Sequence, residues 1–193
     1  FASSLRSILR QDPDVLLIGE IRDGETADIA VKFSLTGHLV FSTVHANDAS
    51  ATITRLLDIG IAPFLVGSCV NLVMAQRLVR RLCGECCEDY NPSDQQLYMV
   101  GLDKKRLNGK KIKKPKGCQE CRNTGYKGRT AIFEIIPMSR EIRRLIFNKS
   151  NEDEIRTQAI EQGMVSLRES GLRKVLDGVT SLEEILRSTV EEL

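Results

Sequence analysis

The stretch DPDVLLIGEIRDGETADIAVKFSLTGHLVFSTVHANDAS, residues 12–50, decides the fold. Val15-Leu16-Leu17-Ile18 is a short apolar run that stops at Gly19-Glu20. Leu39-Val40-Phe41-Ser42-Thr43-Val44 is a second such run, and it stops at His45. Short apolar runs rich in branched residues read as buried strands. The helix-length segment between them carries Ala27, Ala30, Val31 and Leu35 at helical spacing, with Asp23 placed to cap it and Gly37 to end it. Strand, helix, strand predicts two parallel strands buried on both faces. Open α/β sheets bind ligands at the carboxyl ends of their strands, and Glu20 and His45 both occupy such ends.

Working outward, Leu5 to Arg10 reads as a helix end with Ser3 or Ser4 near its start, broken by Asp12-Pro13. Downstream, Ser50 is placed to cap a helix with Ile53, Leu56 and Leu57 inward, closed by Gly60. Pro63 then opens a longer helix from Phe64 to Leu82. Residues 83–128 change character and are rich in Cys, Lys and Gly. Arg129 to Ile136 alternates as a strand. Residues 139–193 read as helical, with Ser139 before EIRRLIF and capping boxes at Asn151-x-x-Glu154 and Thr180-x-x-Glu183. This predicts three segments: an α/β core over 1–82, a Cys-rich segment over 83–136 that returns to the core, and a C-terminal helical region over 137–193.

The totals bound the function. Hydrophobic content of 41% and charged content of 28% fit an ordinary globular chain. A net charge of +2, no Trp and 5% aromatics argue against a nucleic-acid binder built on bulk charge and base stacking. The longest apolar candidate, Phe64 to Ala75, contains Ser68 and Asn71 and runs into Gln76-Arg77, so it reads as core rather than a membrane span. The opening FASSLRSILRQDPD has neither an initiator Met nor an apolar leader and reads as an internal start.

Glu20 ends an apolar strand in an acid, the Walker B pattern of nucleotide hydrolases. Hydrolysis needs a carboxylate there to orient or deprotonate the attacking water. An acid that only caps the next helix is the plainer reading of Glu20 alone. Gly19 stands where an Asp commonly helps to hold Mg²⁺, so the metal would be held chiefly by phosphates, water and other groups. An imidazole at the neighbouring strand tip, His45, could donate to a phosphate oxygen. His38 lies at the opposite end of that strand, roughly 23 Å away, and reads as structural. Arg22, Arg77, Arg80 and Arg81 are candidate phosphate or interface arginines, Arg80 and Arg81 reading rather as a solvated helix end. The phosphate loop G-x-x-x-x-G-K-[ST] does not occur in residues 1–193.

Cys83-x-x-Cys86 and Cys118-x-x-Cys121 form two knuckles separated by residues 87–117. Two such turns complete a tetrahedral S₄ site suited to zinc, with no open position for catalysis. Reduced or redox-active thiols are the plainer alternative, and Cys87 could stand in for a ligand or sit beside the site. Lys104, Lys105, Arg106, Lys110, Lys111, Lys113, Lys114 and Lys116 crowd one loop. It could meet anionic lipid or nucleic acid, though a solvated loop is the simpler reading.

Taken together, these residues resemble the C-terminal motor domain of the secretion ATPase superfamily, in particular the type II secretion ATPase, general secretion pathway protein E, and the type IV pilus assembly ATPases. LRQDPDVLLIGEIRDGETADIA resembles the Walker B region, LTGHLVFSTVHANDA the His box, and AQRLVRRLC with GCQECRNTGYKGRTAIFEIIPM the tetracysteine segment. The resemblance implies a RecA-like P-loop core, here partial, with the phosphate loop and an acidic box upstream of Phe1. It implies ATP and Mg²⁺ at a site where Glu20 activates water and His45 reads the γ-phosphate, and Zn²⁺ at Cys83, Cys86, Cys118 and Cys121. It further implies a homo-hexamer, peripheral to the cytoplasmic face of the inner membrane, working with platform and anchoring proteins and with no sequence-specific nucleic acid. Retraction motors of the family generally lack the tetracysteine segment, which favours secretion or pilus assembly. The rival reading is a non-catalytic, zinc-stapled module that docks on lipid or nucleic acid through its basic loop.

Overall fold

β1 (Val15–Ile18) and β2 (Leu39–Ser42) pair in parallel, in the register Val15↔Leu39 to Ile18↔Ser42. The computed structural model describes residues 7–8, 11–107, 109 and 111–189; the helix start expected at Ser3 or Ser4, most of 5–10 and Lys110 lie outside these. The crossover between the strands is α1 (Gly24–Leu35). Asp23 caps it by accepting from Thr26 N at 2.8 Å, and Gly37 follows in the left-handed region, as its sequence signals require. α1 buries Ala27, Ile29, Ala30, Val31 and Phe33, and Leu16 and Ile18 of β1 are buried with them.

Burial on both faces does not hold. Val15, Leu17, Leu39 and Phe41 point to the other face and are exposed, Leu17 by 74%. The period of two puts them opposite Leu16 and Ile18, and no element among the described residues covers them.

α2 (Ala49–Asp58) begins at Asp48, whose carboxylate accepts from Ala51 N at 2.9 Å. Ser50 is therefore not the cap. It lies inside the helix, fully buried, and its hydroxyl has no partner there. α3 (Pro63–Cys69) is short. The long helix expected to Leu82 is instead β3 (Leu72–Leu82), an eleven-residue strand. LVMAQRLVRRL buries Val73, Ala75 and Val79 while Leu72, Met74 and Leu78 stay exposed, an alternation that a strand satisfies. β3 pairs with β6 (Tyr126–Pro137), which covers the strand expected at 129–136.

The described chain divides into two units interleaved in sequence: residues up to 75 with 135–164, and 76–134 with 165 onward. In the first unit, α6 (Arg140–Phe147) packs on α3, and α7 (Glu152–Glu161) packs on α2 and α6. Ser139 and Asn151 cap α6 and α7, accepting from Ile142 N and Glu154 N. Ile53, Val66, Ile142, Ile146 and Ile155 form the fully buried centre.

The second unit holds β4 (Glu88–Tyr90) paired antiparallel with β5 (Ile112–Lys114), the short helices α4 (Asp94–Met99) and α5 (Lys104–Leu107), and α8 (Leu167–Leu176) packed on α9 (Leu182–Ser188). Ser93 opens α4 with a full capping box to Gln96. The cap of α9 is Ser181, which accepts from Glu184 N; Thr180 instead donates to the Arg80 carbonyl at 2.8 Å. The capping pair is thus one residue later than Thr180-x-x-Glu183. Among the described residues, no helix is long and apolar enough to cross a membrane.

Candidate functional site

The strand tips meet through their side chains. Nε2 of His45 lies 2.8 Å from Oε2 of Glu20. An ionised carboxylate only accepts, so the imidazole donates through Nε2. Arg22 forms an ion pair with the same carboxylate. The Arg22 hydrogen bond is the main cause holding the Glu20 carboxyl below its ordinary range; burial, the next largest effect, opposes it, and the His45 bond adds to the lowering. Glu20 is thus charged at neutral pH, and at 31% side-chain exposure it can reach a ligand.

The backbone fixes this pairing. Thr43 Oγ1 donates to the Gly19 carbonyl at 2.7 Å, and Ile21 N donates to the Thr43 carbonyl at 2.9 Å. These two bonds clamp the turn bearing Glu20 against the segment leading to His45. No sequence signal marks Thr43 for this task, since threonine is ordinary in a strand. His38 is apart from the pair: its ring stacks on Phe33 at 4.0 Å and meets Thr36 Oγ1 at 2.9 Å, as a structural histidine does. Arg77 lies on β3, in the other unit, and its guanidinium donates to the Gln76 carbonyl at 3.3 Å.

The two cysteine knuckles converge. Sγ atoms of Cys83, Cys86, Cys118 and Cys121 all lie within 4.8 Å of one another. The separations are 3.9 Å for Cys83–Cys118, 3.8 Å for Cys86–Cys121 and 3.7 Å for Cys118–Cys121. A tetrahedron with Zn–S bonds of about 2.3 Å has edges of about 3.8 Å. The same distances are too long for disulfides, whose sulfurs sit about 2.05 Å apart. The donor set therefore fits zinc, and Cys87 is not one of the four.

Backbone amides complete the fit. Gly117 N donates to Cys86 Sγ at 3.3 Å, while Cys118 N and Gly125 N each donate to Cys121 Sγ at 3.2 Å. Burial raises a thiol, and it pushes Cys86 up to about 11. At Cys121 burial also acts upward, but the two amide donors, together with the bonds from Cys118 and Cys86, outweigh it and hold the thiol down at about 6. Gly117 and Gly125 both have positive φ, and a Cβ at either would come within 3.0 Å of Asn123 or Pro115. The glycines of GCQECRNTG were the available signal for these donors.

Three residues of the basic run, Lys104, Arg106 and Lys116, are held in ion pairs. Lys104 pairs with Asp94 and Lys116 with Glu88, and Arg106 makes a two-pronged contact with Glu169 at 2.8 and 2.7 Å.

The family model described as Type II/IV secretion system protein matches residues 1–187. The chain belongs to that family. It is 48% identical over 193 residues to the type IV pilus assembly ATPase PilB of Myxococcus xanthus, covering 100% of this chain and 34% of the relative. It is 50% identical over 192 residues to type II secretion system protein E of Pseudomonas aeruginosa, covering 100% of this chain and 38% of that protein. The chain thus spans little more than a third of the length of these relatives. Among solved structures, the pilus retraction motor PilT with bound ADP matches at a TM-score of 0.67 and 24% identity, covering 99% of this chain and 44% of that one. The Legionella pneumophila ATPase DotB matches at 0.63 and 20%, covering 95% and 40%. Their likeness establishes the fold: an α/β architecture shared with these two ATPases, here with a tetracysteine group and a helical C-terminal region.

Proposed function

We propose that this chain carries the Glu20 and His45 part of an ATP-hydrolysing motor that powers type II protein secretion or type IV pilus assembly. The observation that carries the reading is the 2.8 Å contact between Glu20 and His45 at the carboxyl ends of adjacent parallel strands, in a chain of this family. An interaction module would need neither residue.

In this reading Glu20 orients the attacking water and accepts its proton as the water oxygen bonds the γ-phosphorus and ADP leaves. His45, already a donor through Nε2, turns its N–H to a γ-phosphate oxygen. Arg22 neutralises Glu20 in the present arrangement and is close enough in sequence to exchange that partner for a phosphate. Arg77 is a second candidate for phosphate. Mg²⁺ would add charge neutralisation between phosphate oxygens. The phosphate loop, which residues 1–193 lack, is expected from the remaining length that the relatives possess.

Cys83, Cys86, Cys118 and Cys121 hold a structural zinc that staples the 83–136 segment, with 1–82 as the core part and 137–193 as the helical region. With all four positions taken by thiolates, that metal has no role in turnover. The whole protein works as a homo-hexamer on the cytoplasmic face of the inner membrane, against membrane platform and anchoring proteins.

The test is Glu20→Gln in the full-length protein. Phosphate release falls to background while binding of a fluorescent ATP analogue is kept. Turnover at the wild-type rate in that variant refutes the role of Glu20.

A further inference from the structure

His45 has an exposed ring: its side chain is 82% accessible, so packing does not aim it. Its direction comes from the bond to Glu20 and from the loop that carries it. One end of that loop is held at Thr43, which is bonded to the Gly19 carbonyl and to Ile21 N. The other end is held at Asp48. Its Oδ1 accepts from Ala51 N at 2.9 Å, and its Oδ2 accepts from Arg156 Nη2 at 2.9 Å.

Arg156 comes from α7, far along the chain but within the same unit. The same Nη2 also donates to Glu152 Oε1 at 2.8 Å, which holds the guanidinium from its own helix. The contact is sheltered, with Arg156 at 24% and Asp48 at 16% side-chain exposure. α7 is itself a firm support, since Asn151 caps it, Ile155 and Ala159 are buried, and it packs on α2. A cap needs only one carboxylate oxygen. The second oxygen of Asp48 is therefore available to anchor the loop to α7.

We propose that Arg156 is a positioning residue for His45, acting through Asp48: it fixes the loop from which the imidazole reaches its ligand. The proposal rests on the reading of His45 as the phosphate-contacting group. It assigns α7 a part in the chemistry that a helix remote in sequence would not otherwise have. Small displacements of a positioned group cost large factors in rate, so loss of this anchor should be visible in turnover.

The experiment uses the full-length protein. Arg156→Met keeps the aliphatic stem and removes the charge. It should lower kcat for ATP about tenfold while KM stays within about twofold. Arg156→Lys should recover part of that loss. In the double variant with His45→Ala, turnover should equal that of His45→Ala alone, because both changes act on one group. Independently of turnover, the His45 ring Cε1 signal in histidine-labelled protein should shift in Arg156→Met, while the His38 signal stays in place. Lys32→Met, which breaks an exposed pair with Asp28, should leave both readouts unchanged.

An unmoved His45 signal overturns the proposal, and so do losses that multiply in the double variant. If His45→Ala turns over like the wild type, the phosphate-contacting role fails, and the His45 signal alone then decides whether Arg156 positions the ring. Should Arg156→Met fail to fold, Asp48→Asn retains the capping oxygen, loses the charge, and is read in the same two ways.

Discussion

Glu184 and Arg80 are joined through both backbone and side chain. The Glu184 carboxylate accepts from Arg80 N at 2.9 Å, from Nε at 2.9 Å and from Nη2 at 2.7 Å. Arg187, further along α9, donates to the same carboxylate at 3.0 and 2.7 Å. The Arg80 guanidinium also lies 4.0 Å over the ring of Tyr126, whose hydroxyl meets Ser181, the cap of α9. β3, β6 and α9 are thereby fastened at one buried anion, and Arg80 is a structural residue rather than a solvated helix end.

Replacing Glu184 with Gln should cost about 1–3 kcal/mol, because the buried group loses its charge and one acceptor oxygen facing the donors of Arg80 and Arg187. Urea unfolding of both proteins at neutral pH checks this through the midpoint.

The same group predicts a pH dependence. Burial alone would raise its pKa, but the bonds from Arg187 and Arg80 outweigh burial and hold it at about 2. A pKa lowered in the folded state stabilises above the ordinary carboxylate range and loses that contribution as pH falls. Acid unfolding of the second unit should therefore steepen as pH drops from about 5 toward about 2. Glu184→Gln should remove that part of the slope, which a series of thermal melts would measure.

Chelation should unfold residues 83–128 and leave the β1–α1–β2 part protected. Structural zinc in comparable knuckles contributes about 10 kcal/mol or more to local folding. Hydrogen exchange before and after a strong chelator reads this by segment, and Cys118→Ser should mimic it together with loss of bound zinc. Unchanged protection across 83–128 contradicts a metal role for the four cysteines.

Two glycines should respond differently to alanine. A Cβ on Gly171 would meet Ile185 Cδ1 at 2.6 Å, and Ile185 is fully buried. Gly171→Ala should cost about 1–3 kcal/mol by overpacking α8 against α9. A Cβ on Gly67 would meet the outer edge of the Phe147 ring at 2.3 Å, but Phe147 is 48% exposed and can swing away. There the gain in helix propensity, about 1 kcal/mol, should nearly offset the move. Denaturation midpoints of the two variants compare them directly.

The parallel strands and their crossover were legible because each signal agreed: Asp23 capped, Gly37 closed, and the apolar runs ended at Glu20 and His45. β3 was not, because LVMAQRLVRRL fits both periods. Ala75, Val79 and Leu82 fall at helical spacing, and Ala, Gln, Arg and Leu favour helix. Pairing with β6 overrode that preference. Asp48 and Ser181 were displaced by neighbours, Ser50 and Thr180, of equal capping chemistry. Which neighbour caps depends on where burial begins, and that is set by packing. The exposed face of β1 and β2 was hidden for a related reason: a continuous apolar run does not tell which residues find a cover within 193 residues.

The interleaving of the two units has a consequence for synthesis. β1, β2, α2 and α3 emerge from the ribosome before the helices that pack on α2 and α3, which are α7 and α6. The whole cysteine-bearing segment must be translated between them. The nascent first unit therefore waits, half covered, while the cysteine-bearing segment is made, and an early stop anywhere in residues 76–134 would leave α2 and α3 without the helices that pack on them.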